Sequence, residues 1–185
     1  MELKQRHIDF ENSCKKIIGL KINKVEYAVI AYDLLDNSEP KKWFATKFNN
    51  IHTVDFCVFL HTNTTDIIEI CWDSEFFQYG IGVKLNMPSK FSGYQNWDVT
   101  NDRLWEDYIN SEIINISIGW NIITENFKRD ILYPQDITIE FSNNKKIFIS
   151  AAEFKGEEAT IAYGFSDNLL VCNNESLARE VKMIL

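Results

Sequence analysis

From Ile114 to Ile122 the chain reads Ile-Asn-Ile-Ser-Ile-Gly-Trp-Asn-Ile, large apolar residues alternating with small or polar ones without a break. A period of two marks a strand buried on one face, because successive side chains of an extended chain point to opposite sides of a sheet. The same rhythm sets Val25, Tyr27 and Val29 against Glu26 and Ala28, and aligns Val54, Phe56, Val58 and Leu60. The turn-rich His61–Asp66 then leads into IIEICW, a hairpin pattern, and Phe77, Tyr79, Ile81, Val83 and Leu85 form a further strand before Pro88. The turns are short and no crossover helix separates successive strands, so the sheets are expected to be antiparallel.

Helical spacing appears in three places. Phe10, Cys14, Ile17 and Ile18 share a face between Asp9 and Gly19; Leu104, Trp105, Tyr108 and Ile109 follow a cap at Thr100 or Asn101; and Leu177, Val181 and Ile184 follow Asn174. Helix, strand, hairpin and strand thus occur twice in the same order. Val25, Tyr27 and Val29 map onto Ile116, Ile118 and Trp120 at an offset of 91, and Phe56, Val58 and Leu60 onto Ile137, Ile139 and Phe141 at 81, with Asp55 matched by Asp136. Ile68 and Ile70 correspond to Ile147 and Ile149 if the first hairpin turn is two residues longer, and Tyr79-Gly80 is echoed by Tyr163-Gly164. The expectation is an α+β fold of two pseudo-symmetric halves, each a short helix plus antiparallel strands, with a C-terminal helix. It forms a single domain over residues 1–185, its halves at about 9–85 and 100–170 joined by an aromatic-polar connection at 86–99.

Composition narrows the function classes. The 185 residues carry 19 Lys+Arg against 27 Asp+Glu, a net −8, with no Lys/Arg-rich run, which disfavours nucleic acid because that affinity comes from neutralising phosphates. The opening MELKQRHIDFENSCKK lacks an apolar core, and no apolar run approaches the roughly 18 residues that a membrane helix needs, so a cytoplasmic protein without a membrane partner is expected. Cys14, Cys57, Cys71 and Cys172 are widely spaced and are expected to be reduced.

Recognisable chemistry is sparse. His52, Cys57, His61 and Cys71 lack zinc-ligand spacing, and Cys57 and His61 are too far apart along a strand for a catalytic pair. Seven scattered glycines form no phosphate loop, and Gly80-Ile81-Gly82 reads as a bulge or a close backbone approach. Acidic pairs at Asp73/Glu75, at Asp102 with Glu106 and Asp107, and at Glu157/Glu158 read as solvated surface. No cofactor and no metal is implied.

The segment 86–102, NMPSKFSGYQNWDVTND, mixes Phe91, Tyr94 and Trp97 with small polar residues, a composition typical of recognition surfaces. Trp43 and Phe44 in an earlier insertion have the same character. Protein binding through Tyr94, Trp97, Asp98 and Asp102 is the expected function; the alternative is a small-molecule or sugar site between the halves, where Trp72, Tyr79, Trp120 and Tyr163 would converge. The run Ile18-Gly19-Leu20-Lys21-Ile22-Asn23-Lys24-Val25 and the hairpin from Asp55 to Ile70, in a small acidic chain rich in Asn, Ile and Lys, resemble immunity proteins of bacterial polymorphic toxin systems. The resemblance implies neutralisation of a cognate toxin by tight binding, acidic groups meeting a basic toxin surface around aromatic anchors.

Overall fold

A computed structural model of the chain describes residues 2–30, 44–86, 94–125, 129–156 and 158–184. Its elements are α1 (Gln5–Cys14), β1 (Ile22–Ile30), β2 (Ile51–Val54), β3 (Cys57–Thr62), β4 (Ile67–Asp73), β5 (Gly80–Leu85), β6 (Tyr94–Asp98), β7 (Ile113–Glu125), β8 (Arg129–Phe141), β9 (Lys146–Phe154), β10 (Ala162–Cys172) and α2 (Glu175–Glu180). Two five-stranded antiparallel sheets result, ordered β5-β4-β3-β1-β6 and β2-β10-β9-β8-β7. The fold is α+β, with sheet dominating.

Alternation decides the packing. Val25, Tyr27, Val58, Leu60, Ile68 and Ile70 of the first sheet share one core with Ile137, Ile139, Ile147, Ile149, Leu169 and Val171 of the second. On the other face of the second sheet Phe148, Ala152, Leu170 and Cys172 are covered by Ala178, Val181, Met183 and Ile184, from α2 and the residues after it. Asn174 caps α2 by accepting the Leu177 N–H through its side chain at 3.0 Å.

The first helix is displaced from its expected place, and the two later ones are shorter than their spacing predicts. α1 begins after Lys4, five residues before the expected region, and gives way to a 3-10 turn at Lys15–Ile17. The segment expected to be helical from Thr100 is a series of turns ending in a 3-10 turn at Glu106–Tyr108. Phe77 and Tyr79 precede β5 rather than lying on it. On β7 the expected face is interrupted as well: Ile116, Ile118 and Trp120 turn to the core, whereas Ile114, at a register break, and Ile122 are exposed.

The offset of 91 recurs in the backbone bonds that join residues 19–22 to 110–113. Gly19 N–H donates to Ile113 O at 2.8 Å and Asn110 N–H to Ile22 O at 2.7 Å; Ile113 N–H donates to Leu20 O at 2.9 Å and Ile22 N–H to Ser111 O at 3.3 Å. Exchanging each residue with the one 91 positions away carries either bond of a pair onto the other. Gly19 and Asn110 both adopt positive φ, 91° and 64°, which those two residue types tolerate best.

Within the hairpins the offset is 79, not 81. Val58 pairs with Ile70 and Leu60 with Ile68, as Ile137 pairs with Ile149 and Ile139 with Ile147. The two turns therefore have equal length, each with a positive φ at the matching residue, Thr65 at 68° and Asn144 at 63°. A slip of two residues leaves every side chain on its expected face, so the pattern of alternation does not separate the two alignments. Asp136 consequently stands where the first unit has Cys57 rather than Asp55. Gly80 and Gly164 do share a pairing position, opposite Asp73 and Ala152, because Phe165–Asn168 are inserted at the register break in β10.

Candidate functional site

The four residues singled out for binding fall on β6 and the turn after it. β6 lies antiparallel to β1, with Tyr94 opposite Ile30, Trp97 opposite Tyr27 and Asp98 opposite Glu26. Pleating separates their side chains. Trp97 packs toward the core beside Phe44, centroids 6.1 Å apart, and its Nε1 is buried without a hydrogen-bond partner among the described residues. Tyr94 stacks on Phe56 at 4.3 Å on the opposite face, and Asp98, 56% exposed, lies on that face as well. Phe91 and Trp43 lie outside the described residues.

Asp98 is fixed by the start of the turn. Its Oδ1 accepts the Thr100 N–H at 2.9 Å while Thr100 Oγ1 accepts the Val25 N–H at 3.0 Å, and Lys24 Nζ stands 3.7 Å from Oδ2. The Thr100 hydrogen bonds, side chain and backbone, hold the Asp98 carboxyl below the usual range. Lys24 also bonds Glu26 at 2.8 Å, and His61 Nε2 meets the other Glu26 oxygen at 2.5 Å. Burial raises the Glu26 pKa, but these two partners outweigh it and the net shift is downward.

Asp102 is held from below by a buried polar chain. Trp105 Nε1–H donates to Tyr27 OH at 2.6 Å, and the Tyr27 hydroxyl meets His52 Nδ1 at 3.1 Å. With the hydroxyl donating onward, the His52 proton sits on Nε2, which faces Asp102 Oδ1 at 3.6 Å. Burial lowers the His52 pKa while Asp102 opposes the shift. Tyr27 is wholly enclosed, and burial drives its pKa far up. This polar chain acts as a brace: Asp102 also accepts the Leu104 N–H at 2.9 Å, and its backbone carbonyl receives Trp105 N–H and Glu106 N–H at 2.8 Å each.

The four residues expected around a central cleft do not converge as a group. Trp72 and Tyr79 touch at 5.7 Å, Trp120 donates to Glu11 and packs with α1, and Tyr163 is exposed beneath Lys155. A polar cleft of about 540 Å³ opens instead between the Glu106–Tyr108 turn, the β8–β9 turn and the start of α2, lined by Arg103, Asp107, Asn144, Asn173 and their neighbours. A groove of about 390 Å³ beside α1 holds Asp73 and Glu75 with Arg6 and Lys84. Burial raises both carboxyls, and for Glu75 the Asp73 charge adds to it.

Among the described residues no three His, Cys, Asp or Glu side chains gather in a metal-binding group. Cys57 and Cys71 face each other across β3 and β4, His61 is engaged with Glu26, and His52 belongs to the other sheet. Among the described residues no helix is long and apolar enough to cross a membrane. Sequence reading missed the partnership of His52 with Tyr27 and Trp105, which are 25 and 78 residues from their partners along the chain. Gly82 does mark a close approach, since a Cβ there would lie 2.2 Å from the Asp73 carboxylate. No family model, curated protein or solved structure matches the chain.

Proposed function

We propose that the chain is a protein-binding module that acts in the cytoplasm and receives a partner with basic groups along β6 and the turn that follows. The observation that carries this reading is the fixed placement of two carboxylates, Asp98 and Asp102, each held by backbone N–H groups at the edge of a sheet. A carboxylate already ordered in the free protein loses little entropy when a partner arrives. Among the described residues β6 ends its sheet, which is the geometry that strand addition uses, and the net −8 steers a basic partner toward the protein. Neutralisation of a cognate toxin fits this surface.

The test is co-expression with a toxin domain encoded beside this chain's own gene. Wild type should restore growth, and Asp98→Lys combined with Asp102→Lys should abolish the rescue while circular dichroism stays native. Rescue undiminished by the double reversal in a folded variant sinks the proposed surface. A second reading, small-molecule binding, is favoured by the raised Asp73/Glu75 pair in the groove beside α1. A thermal shift with sugars, lost in Asp73→Asn, would support it.

A further inference from the structure

β7 and β1 occupy matching places in the two units, but their outer edges differ. β6 covers β1 from Glu26 to Ile30, whereas β7 ends its sheet, and among the described residues no strand lies beside the matching stretch Ser117 to Asn121. The outward main-chain groups can be assigned. Val25 faces away from β3, since its N–H donates to Thr100 Oγ1 and its carbonyl accepts the Val99 N–H; Ile116 holds that place on β7. Ile122 N–H donates to the side chain of its neighbour Asn121 instead of across to β8. Alternation then turns the N–H and C=O groups of Ile116, Ile118, Trp120 and Ile122 outward. Ile113 is already engaged by Gly19 and Leu20, so the open stretch runs over 114–124 and is centred on Gly119.

Natural sheet edges are usually guarded by charge, proline or brevity. Apart from the register breaks at 113/115 and 119/120, β7 carries none of these over 113–124, which is the longest run in the chain without Asp, Glu, Lys, Arg or Pro, and Ile114 and Ile122 are each 46% exposed. We infer that β7 pairs with β7 of a second copy of this chain, antiparallel about a twofold axis at Gly119. Ile118 then lies opposite Trp120, Ile116 opposite Ile122 and Ser117 opposite Asn121, so apolar residues pair with apolar ones and polar with polar. A chain of net −8 repels its own copy least at this uncharged stretch, and no like charges stand opposite each other in it. The contact is isologous and closes as a dimer. It lies on the opposite sheet from β6 and does not depend on the proposed function.

Sedimentation equilibrium from about 1 µM to about 1 mM reads the association; a single short strand pair predicts dissociation in the micromolar range or weaker. Ser117→Glu and, separately, Ile122→Pro should weaken it at least about tenfold with unchanged circular dichroism. A short bis-maleimide should join Ser117→Cys to Asn121→Cys copies in a mixture, because all four native thiols are buried. A chain that stays monomeric throughout, as it would if another protein's strand filled this edge, overturns the inference. So does a dimer that both folded variants leave unchanged.

Discussion

Asp136→Asn should stabilise this protein at neutral pH and remove a defined part of its pH dependence. Asp136 is 5% exposed, its Oδ2 has no hydrogen-bond partner among the described residues, and Gly119 faces it so closely that a Cβ there would lie 2.2 Å from the carboxylate. Burial pushes its pKa up from 3.8 to about 6, with Arg179 pulling back in part. A folded-state pKa above the unfolded value means that the folded chain holds the proton more tightly. The resulting penalty is absent below about pH 4, grows between about 4 and 6, and is complete above 6. A shift of about 2 units at roughly 1.4 kcal/mol each makes it about 3 kcal/mol, a large share of a typical domain's stability. Urea midpoints measured for wild type and variant across that window isolate it, because every other titrating group is common to both proteins. The stability gap should be small or reversed at low pH and should open toward neutrality. A gap independent of pH would refute the reasoning and mean that the carboxyl titrates as if in water.

Other consequences follow from burial and hydrogen bonding. Tyr27→Phe strands the Trp105 N–H and His52 Nδ1 inside the protein and should cost about 1–3 kcal/mol in urea unfolding; a neutral effect would mean the chain is not a brace. Trp97→Ala removes a ring packed beside Phe44 and should lower stability by about 2–4 kcal/mol, whereas a variant as stable as wild type would place that ring on the surface. All four thiols are buried, and burial raises Cys14 to about 12 and Cys172 to about 11, so a thiol-titrating reagent should find four reactive groups in denaturant and react slowly with the native protein. Rapid native labelling would contradict that.

The strands were largely legible because alternation survives in any half-buried sheet: Val25, Tyr27, Ile116 and Ile118 all face the core. Register was less so, since a slip of two residues leaves the pattern of faces intact, as the displacement of Asp136 from Asp55 to Cys57 shows. The helix expected after Thr100 failed for a physical reason. Leu104, Trp105 and Tyr108 are buried as a helical face would be, but Asp102 and Thr100 spend their hydrogen bonds on local turns and on β1. The candidate site was legible as a segment and not as a surface. Composition placed Tyr94, Trp97 and Asp98 together, and only the pairing of β6 with β1 reveals that pleating divides them. The support beneath Asp102 comes from Tyr27 and His52, contacts between distant parts of the chain that no local pattern records.

The position of β2 has a consequence for the order in which this protein is made. β2 ends at Val54, yet among the described residues the strand it pairs with is β10, whose residue matching Val54 is Leu169, 115 positions later. At roughly 5–20 residues per second, a ribosome delivers that partner about 6–23 s after Val54 is added. For that interval the first sheet's strands β1, β3, β4 and β5 can form while β2 waits between them with Ile51 and Val54 uncovered. The second sheet therefore closes last during synthesis, and a nascent chain stalled before Leu169 carries an unfilled strand that makes it a target for holding chaperones and for proteolysis.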